Sequence, residues 1–175
     1  MNRVAYSFPA RLLHWLMAVL ILTMLFVGVG MVGSLGPWQH SLVTIHKAVG
    51  LLLLGLVLLR LAVRLRQSPP ALPASVPHWQ QRLAHGAHVL LYLLMLALPL
   101  IGWAMQSAGG YPLRVLGWVL PAIVPQDADL YAVLRSAHGW LAYLLFASVL
   151  LHLAAALFHG LIRRDGVLAS MLRSR

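Results

Sequence analysis

The chain has no cysteine and only three acidic residues in 175, Asp127, Asp129 and Asp165. Without thiols it can form no disulfide, hold no thiolate-ligated iron–sulfur cluster and attach no haem covalently. Charge of either sign is scarce: 9% of residues are Asp, Glu, Lys or Arg, against 61% hydrophobic. That is too little polar surface for a water-soluble globule of this size. The implied solvent is the lipid bilayer.

Four apolar stretches, about 12–32, 42–63, 83–105 and 137–162, each reach the roughly 20 residues that a spanning helix needs. The fold expected is therefore all-α, an integral membrane four-helix bundle forming one domain over 1–175. The first stretch follows Arg3 and Arg11, is too long for a signal peptide and lacks a small-residue cleavage pattern, so it is expected to stay as a helix. Of the 13 Lys and Arg residues, ten lie at the N-terminus, between spans two and three, or in the tail: Arg3, Arg11, Arg60, Arg64, Arg66, Arg82, Arg163, Arg164, Arg173 and Arg175. By the positive-inside rule both termini face the cytoplasm. The net charge of +10 is then topology, and it implies no nucleic-acid partner.

The connections carry their own signals. "GSLGPWQH" is a Gly and Pro turn with Trp38 as an interfacial anchor. The four prolines of "RQSPPALPASVPHWQ" favour a stiff cytoplasmic strap. The longest link contains the apolar run 113–120, too short to span, expected to lie on the outer surface as a lid.

Histidine is the one abundant ionisable residue of the spans. His138 and His152 are fourteen residues apart, almost four helical turns, so on a helix they share a face about 21 Å apart, the separation of two stacked metal centres. Imidazoles inside a span are costly to leave unpartnered and are functional candidates by default. Antiparallel threading brings His46 level with His138, where the two can sandwich an outer metal. His14 and His88 both lie on the side of His152, and counting leaves open which of them pairs with it. His85 and His159 fall nearer the cytoplasmic surface, and His40 and His78 are expected in loops. Axial histidine pairs from different helices are how a bundle holds b-type haem without covalent attachment. Gly50, Gly86 and Gly139 near these histidines would admit a flat macrocycle. Zinc is a poorer fit, because no thiolate or carboxylate lies in any span.

A single such histidine could merely hydrogen-bond a neighbouring helix; six of nine in or beside the spans point to a shared purpose. Arg60 and Arg64 can snorkel to the surface or neutralise haem propionates. Lys47, beside His46, can likewise snorkel or draw in an anion. The Leu and Met residues read as lipid-facing or filler.

The segments "RLLHWLMAVLI", "TIHKAVGLLLLGLVLLRLAVRLR", "RLAHGAHVLLYLLMLALPLIGWAM" and "AHGWLAYLLFASVLLHLAAALFHGLIRRDGVLASMLR" resemble, in order and spacing, the four helices of the bacterial cytochrome b561 family. More distantly they are similar to the di-haem membrane subunits of nickel-iron hydrogenases and formate dehydrogenases. The resemblance implies two haems b, with metal ligands His14 and His152 for the cytoplasmic-side haem and His46 and His138 for the periplasmic one. Within the family the chain is most similar to the small stand-alone superoxide oxidase. That implies oxidation of periplasmic superoxide and reduction of ubiquinone, with His88 and His159 at the quinone site.

Lys47, Arg114 and Arg135 are the candidate catalytic cations, placed to gather an anion such as superoxide at the outer haem. Two alternatives remain open. The chain could serve a separate periplasmic redox protein that docks on the lid, or it could be a histidine-lined metal or proton transporter without haem.

Overall fold

The computed structural model describes residues 5–33, 36–67, 70, 73, 76–115 and 117–172. Its long elements are α1 (Phe8–Gly33), α2 (Gln39–Arg66), α3 (His78–Ala108) and α4 (Ala128–Leu157); a π-helical turn, Phe158–Arg163, continues α4, and a short α5 (Ala169–Leu172) follows. Four helices, the last counted through Arg163, are long and apolar enough to cross a membrane. Of the proline-rich strap, residues 68, 69, 71, 72, 74 and 75 lie outside the described residues.

The helices run past the apolar stretches, because what ends a helix is capping chemistry, not the edge of the hydrocarbon. Ser7 caps α1, its Oγ accepting from the Ala10 amide at 3.4 Å. Asp127 caps α4, its Oδ1 accepting from the Leu130 amide at 2.7 Å, so this helix starts at Ala128, nine residues ahead of the apolar stretch. Helices α2 and α3 also begin ahead of their apolar stretches, without a side-chain cap, which corrects the loop placement of His40 and His78. Both are exposed, but they lie in the first turns of α2 and α3, the latter begun by the extended Pro77. Inside the spans, hydroxyls turn back on their own helices. Thr23 donates to the Val19 carbonyl and Ser148 to that of Leu144, which satisfies groups that lipid would not.

Each helix presents a stripe of three- and four-residue steps to the interior. On α1 it runs His14, Met17, Ile21, Met24, Gly28, and on α3 His88, Leu91, Met95, Leu98, Gly102. Helix α1 packs on α2, α3 on α4, and α2 less extensively on α3, while α4 approaches α1 and α2 at few points. The wide seam is thus the one on which the histidines of α4 face those of α1 and α2. Leu145, seven residues from both His138 and His152, is 7% exposed and packs with Leu94 and Leu98, flanked by Ile21, Met95, Leu141 and Val149. This apolar cluster fills the middle of the bundle.

The expected lid is an antiparallel hairpin, β1 (Leu113–Val115) with β2 (Trp118–Leu120), in which Leu113 pairs with Leu120. Leu113 is buried beneath it. Trp103 Nε1 donates to the Pro121 carbonyl at 3.1 Å, and the Ile123 amide to Ser107 Oγ at 3.2 Å, which ties the link to α3. Tyr111 meets Tyr131 edge-on at 6.1 Å. Gly109 permits this closure, since a Cβ there would lie 2.7 Å from the Tyr111 ring.

Truncating Leu145 to Ala should destabilise the protein by about 2–4 kcal/mol, since the cavity would open within the buried cluster it forms with Leu94 and Leu98. Thermal melting of the detergent-solubilised protein measures this.

Candidate functional site

Two imidazole pairs lie in the wide seam. His46 of α2 and His138 of α4 have ring centroids 6.1 Å apart. Toward the other end, His14 of α1 and His152 of α4 are 6.2 Å apart. Two imidazoles ligating one metal from opposite sides stand roughly 6.3 Å apart, given metal–nitrogen bonds of about 2.0–2.1 Å and half a ring on each side. Both pairs have that separation. His88 also approaches His152, at 5.5 Å, which is shorter than two axial ligands require.

The surroundings suit a flat group. Among the described residues, no set of three or more His and acidic side chains is arranged to hold a bare metal ion. A metal held by two imidazoles must bring its other donors with it, as haem iron does. The Nδ1 atoms of His46 and His138 are buried without a hydrogen-bond partner, a costly state that a bound group would relieve. Of the glycines singled out from sequence, Gly86 and Gly139 face open space, and a Cβ on Gly50 would make ordinary contact with Met24. The glycines beside the rings are two others. A Cβ on Gly28 would stand 3.8 Å from His46 Cε1, and one on Gly102 would stand 3.4 Å from His138 Cε1.

Beside the inner pair, Arg60 is turned inward. Its Nε donates to Tyr92 Oη at 3.1 Å, and its Nη1 is buried without a partner. The guanidinium of Arg64 sits 5.6 Å from the Tyr92 ring centre. Arg60 lies within electrostatic reach of His14, His88 and His152. These two arginines, with Tyr6, Ser7, Gln67 and Met171, line a cavity at this end of the bundle. A buried, unpartnered guanidinium suits a carboxylate, such as a haem propionate.

The remaining candidates are more dispersed. Lys47 is half-buried next to His46, Arg114 is exposed on β1, and Arg135 is exposed in a shallow groove with Trp140 and Tyr143. They share one end of the bundle without touching. His85 is exposed. His159, in the π turn, bonds through Nδ1 to Asp165 Oδ2 at 2.5 Å, a partner that sequence reasoning did not find.

Residues 5–174 match the family described as prokaryotic cytochrome b561. The chain belongs to that family. It is 31% identical over 170 residues to cytochrome b561 homolog 2 of Escherichia coli (strain K12), covering 95% of this chain and 90% of that one. It is 31% identical over 130 residues to cytochrome b561 homolog 1 of the same organism, covering 74% of each. Over 165 residues it is 31% identical to the probable superoxide oxidase CybB of Yersinia pestis, covering 91% of both chains. As a cytochrome b561 the protein is a multi-pass bacterial membrane protein of electron transfer, and its family implies haem b.

Substituting Gly102 by Val would press a branched side chain onto His138. The haem absorption assigned to the outer pair should weaken or shift while that of the inner pair persists, as redox-resolved spectra of the purified variant will show.

Proposed function

We propose that this chain, one four-helix unit over 1–175 with both termini cytoplasmic, carries electrons from periplasmic superoxide to ubiquinone at the cytoplasmic side. The observation that carries the reading is the pair of inter-helix imidazole couples, 6.1 and 6.2 Å from ring to ring, in a chain of the cytochrome b561 family. His46 and His138 hold the periplasmic haem b, and His14 and His152 the cytoplasmic one. The two haems supply one-electron carriers, one near each surface.

The protein's own groups do the rest. Lys47, Arg114 and Arg135 give the outer end a positive field that concentrates an anion. The Leu145 cluster keeps the middle of the bundle dry. Arg60 offers its unpartnered N–H to a propionate carboxylate. His88 and His159 stand at the cytoplasmic end, able to hydrogen-bond quinone oxygens and supply protons. The likeness to a probable superoxide oxidase supports superoxide as donor. Ten of the thirteen basic residues at one end support the orientation. Membership of a cytochrome family supports haem over a haem-free transporter. A second reading, delivery by a periplasmic redox protein, is favoured by one observation: Trp118, on the hairpin, is 77% exposed.

Haem stoichiometry tests the ligands. Replacing His46 or His138 by Ala should remove mainly one haem, and replacing His14 or His152 mainly the other, while His88→Ala, His159→Ala and the exposed His40→Ala retain both. A ligand variant that keeps two haems with unaltered spectra overturns its assignment.

Stopped-flow reduction tests the donor. Neutralising Lys47, Arg114 and Arg135 together should slow reduction by superoxide and flatten its dependence on salt, because screened attraction is what is lost. A slow rate indifferent to all three substitutions overturns superoxide. Loss of reduction by a periplasmic protein on deleting the hairpin would establish the second reading.

A further inference from the structure

Among the described residues, Asp165 is the only acidic one beyond the start of α4, where the other two, Asp127 and Asp129, lie, and it follows directly on Arg163 and Arg164. Its side chain is 6% exposed. Oδ2 accepts from His159 Nδ1 at 2.5 Å, with Arg163 Nε at 4.0 Å, and Oδ1 accepts from the Val167 amide at 3.2 Å. Arg163 is in turn held by α3, its Nη1 donating to the neutral Gln80 at 2.8 Å. His159 and Arg163 are thus the charged groups that bear on this carboxylate.

The backbone departs from regular helix to make this contact. The helix widens into a π turn over Phe158–Arg163. Arg164 then adopts a left-handed conformation at φ 50, the one non-glycine residue to do so among those described, and Gly166 follows at φ 86. Such conformations are unfavourable for a side-chain-bearing residue, and π turns recur at functional sites. Leu168 folds down onto Gly160, where a Cβ would come within 2.4 Å of it. Finally α5 latches to the start of α1, the Trp15 indole donating to the Met171 carbonyl at 3.1 Å.

We propose that Asp165 and His159 form a proton-loading dyad for the quinone, Asp165 acting as a positioning residue that orients the imidazole and stabilises its protonated form. This rests on the quinone reading above. With Nδ1 donating to Asp165, the ring keeps Nε2 for the substrate, the arrangement by which a carboxylate sets the tautomer of a catalytic histidine. Reduction of one quinone takes two electrons, given up by two superoxide ions that leave as dioxygen, and two protons. Each proton passes from Nε2 to a quinone oxygen as that oxygen becomes a hydroxyl. Nδ1 keeps its proton throughout, held by Asp165, and the ring regains one at Nε2 from water, the neighbouring carboxylate stabilising the imidazolium that forms. Burial pushes the Asp165 carboxyl up, but the His159 hydrogen bond, the Val167 amide and the charges of His159 and Arg163 outweigh it and hold the group below its ordinary range. It is thus ionised at neutral pH, and its negative charge faces His159 Nδ1.

The test is reoxidation of dithionite-reduced holoprotein by ubiquinone-1, followed by haem absorption across pH. Asp165→Asn keeps a hydrogen-bond acceptor but carries no negative charge to stabilise the imidazolium. It should retain its haems and slow reoxidation about ten-fold or more at neutral pH, a modest share of what general acid catalysis supplies. Its rate should recover as pH falls, because the ring is then protonated without the carboxylate. Asp165→Glu should restore the wild-type pH profile and also answers if the Asn variant fails to assemble. An Asn variant with the wild-type rate, or with uniform slowing and an unchanged profile, overturns the dyad, as does a Glu variant with the profile of Asn. His159→Ala separates the two claims. If it reoxidises at the wild-type rate, the quinone reading at this histidine fails and the dyad with it. If it is slow while Asp165→Asn is normal, only the dyad fails.

Discussion

Hydrocarbon offers no hydrogen bonds, and this constraint organises the protein. Every polar atom within a span must find its partner in the bundle. The hydroxyls meet the requirement on their own helices. His46 and His138 do not, their Nδ1 atoms being buried without a hydrogen-bond partner. They are left facing one another across the seam between helices, at a distance that suits a shared axial metal. The loose approach of α4 to α1 and α2 is the other side of the same arrangement: the helices that carry the rings cannot close on one another without filling the space between them.

The two ends of the bundle differ in what surrounds the rings. At the outer end the neighbours are glycines, Gly28 and Gly102, with cations at a distance in solvent-facing positions. At the inner end an arginine, Arg60, is drawn into the protein and bonded to Tyr92, and the chain's only nearby carboxylate is folded back onto His159. The first setting is open and attracts charge from outside. The second is polar and enclosed. That asymmetry matches a one-electron donor on one side and an acceptor requiring protons on the other.

Much of this was legible in the sequence. The four spans stood out by hydropathy, and His46 with His138 followed from antiparallel threading. Helix ends were less visible, since Asp127 extends α4 beyond any apolar signal and carries its first turns clear of the hydrocarbon. Counting along the chain could not choose between His14 and His88 as partners of His152, because depth is one coordinate and pairing needs three; ring separations of 6.2 and 5.5 Å supply the rest. Gly28 and Gly102 escaped notice because closeness between helices leaves no mark in local sequence. The Asp165 contact depends on a π turn and a left-handed arginine, for which "FHGLIRRDG" carries no unambiguous cue.

The position of Leu145 has an electrical consequence. The layer it forms with Leu94 and Leu98 is the driest part of the interior and separates the two levels at which charge can be stabilised. In a polarised membrane much of the voltage therefore falls across it. Moving one elementary charge through the whole potential is worth about 2.3 kcal/mol per 100 mV. An electron travelling toward a negative interior works against that voltage, and protons taken up from the same interior add to the charge separated. On the proposed route, turnover is thus coupled to membrane energisation by the placement of one leucine layer, with no moving part.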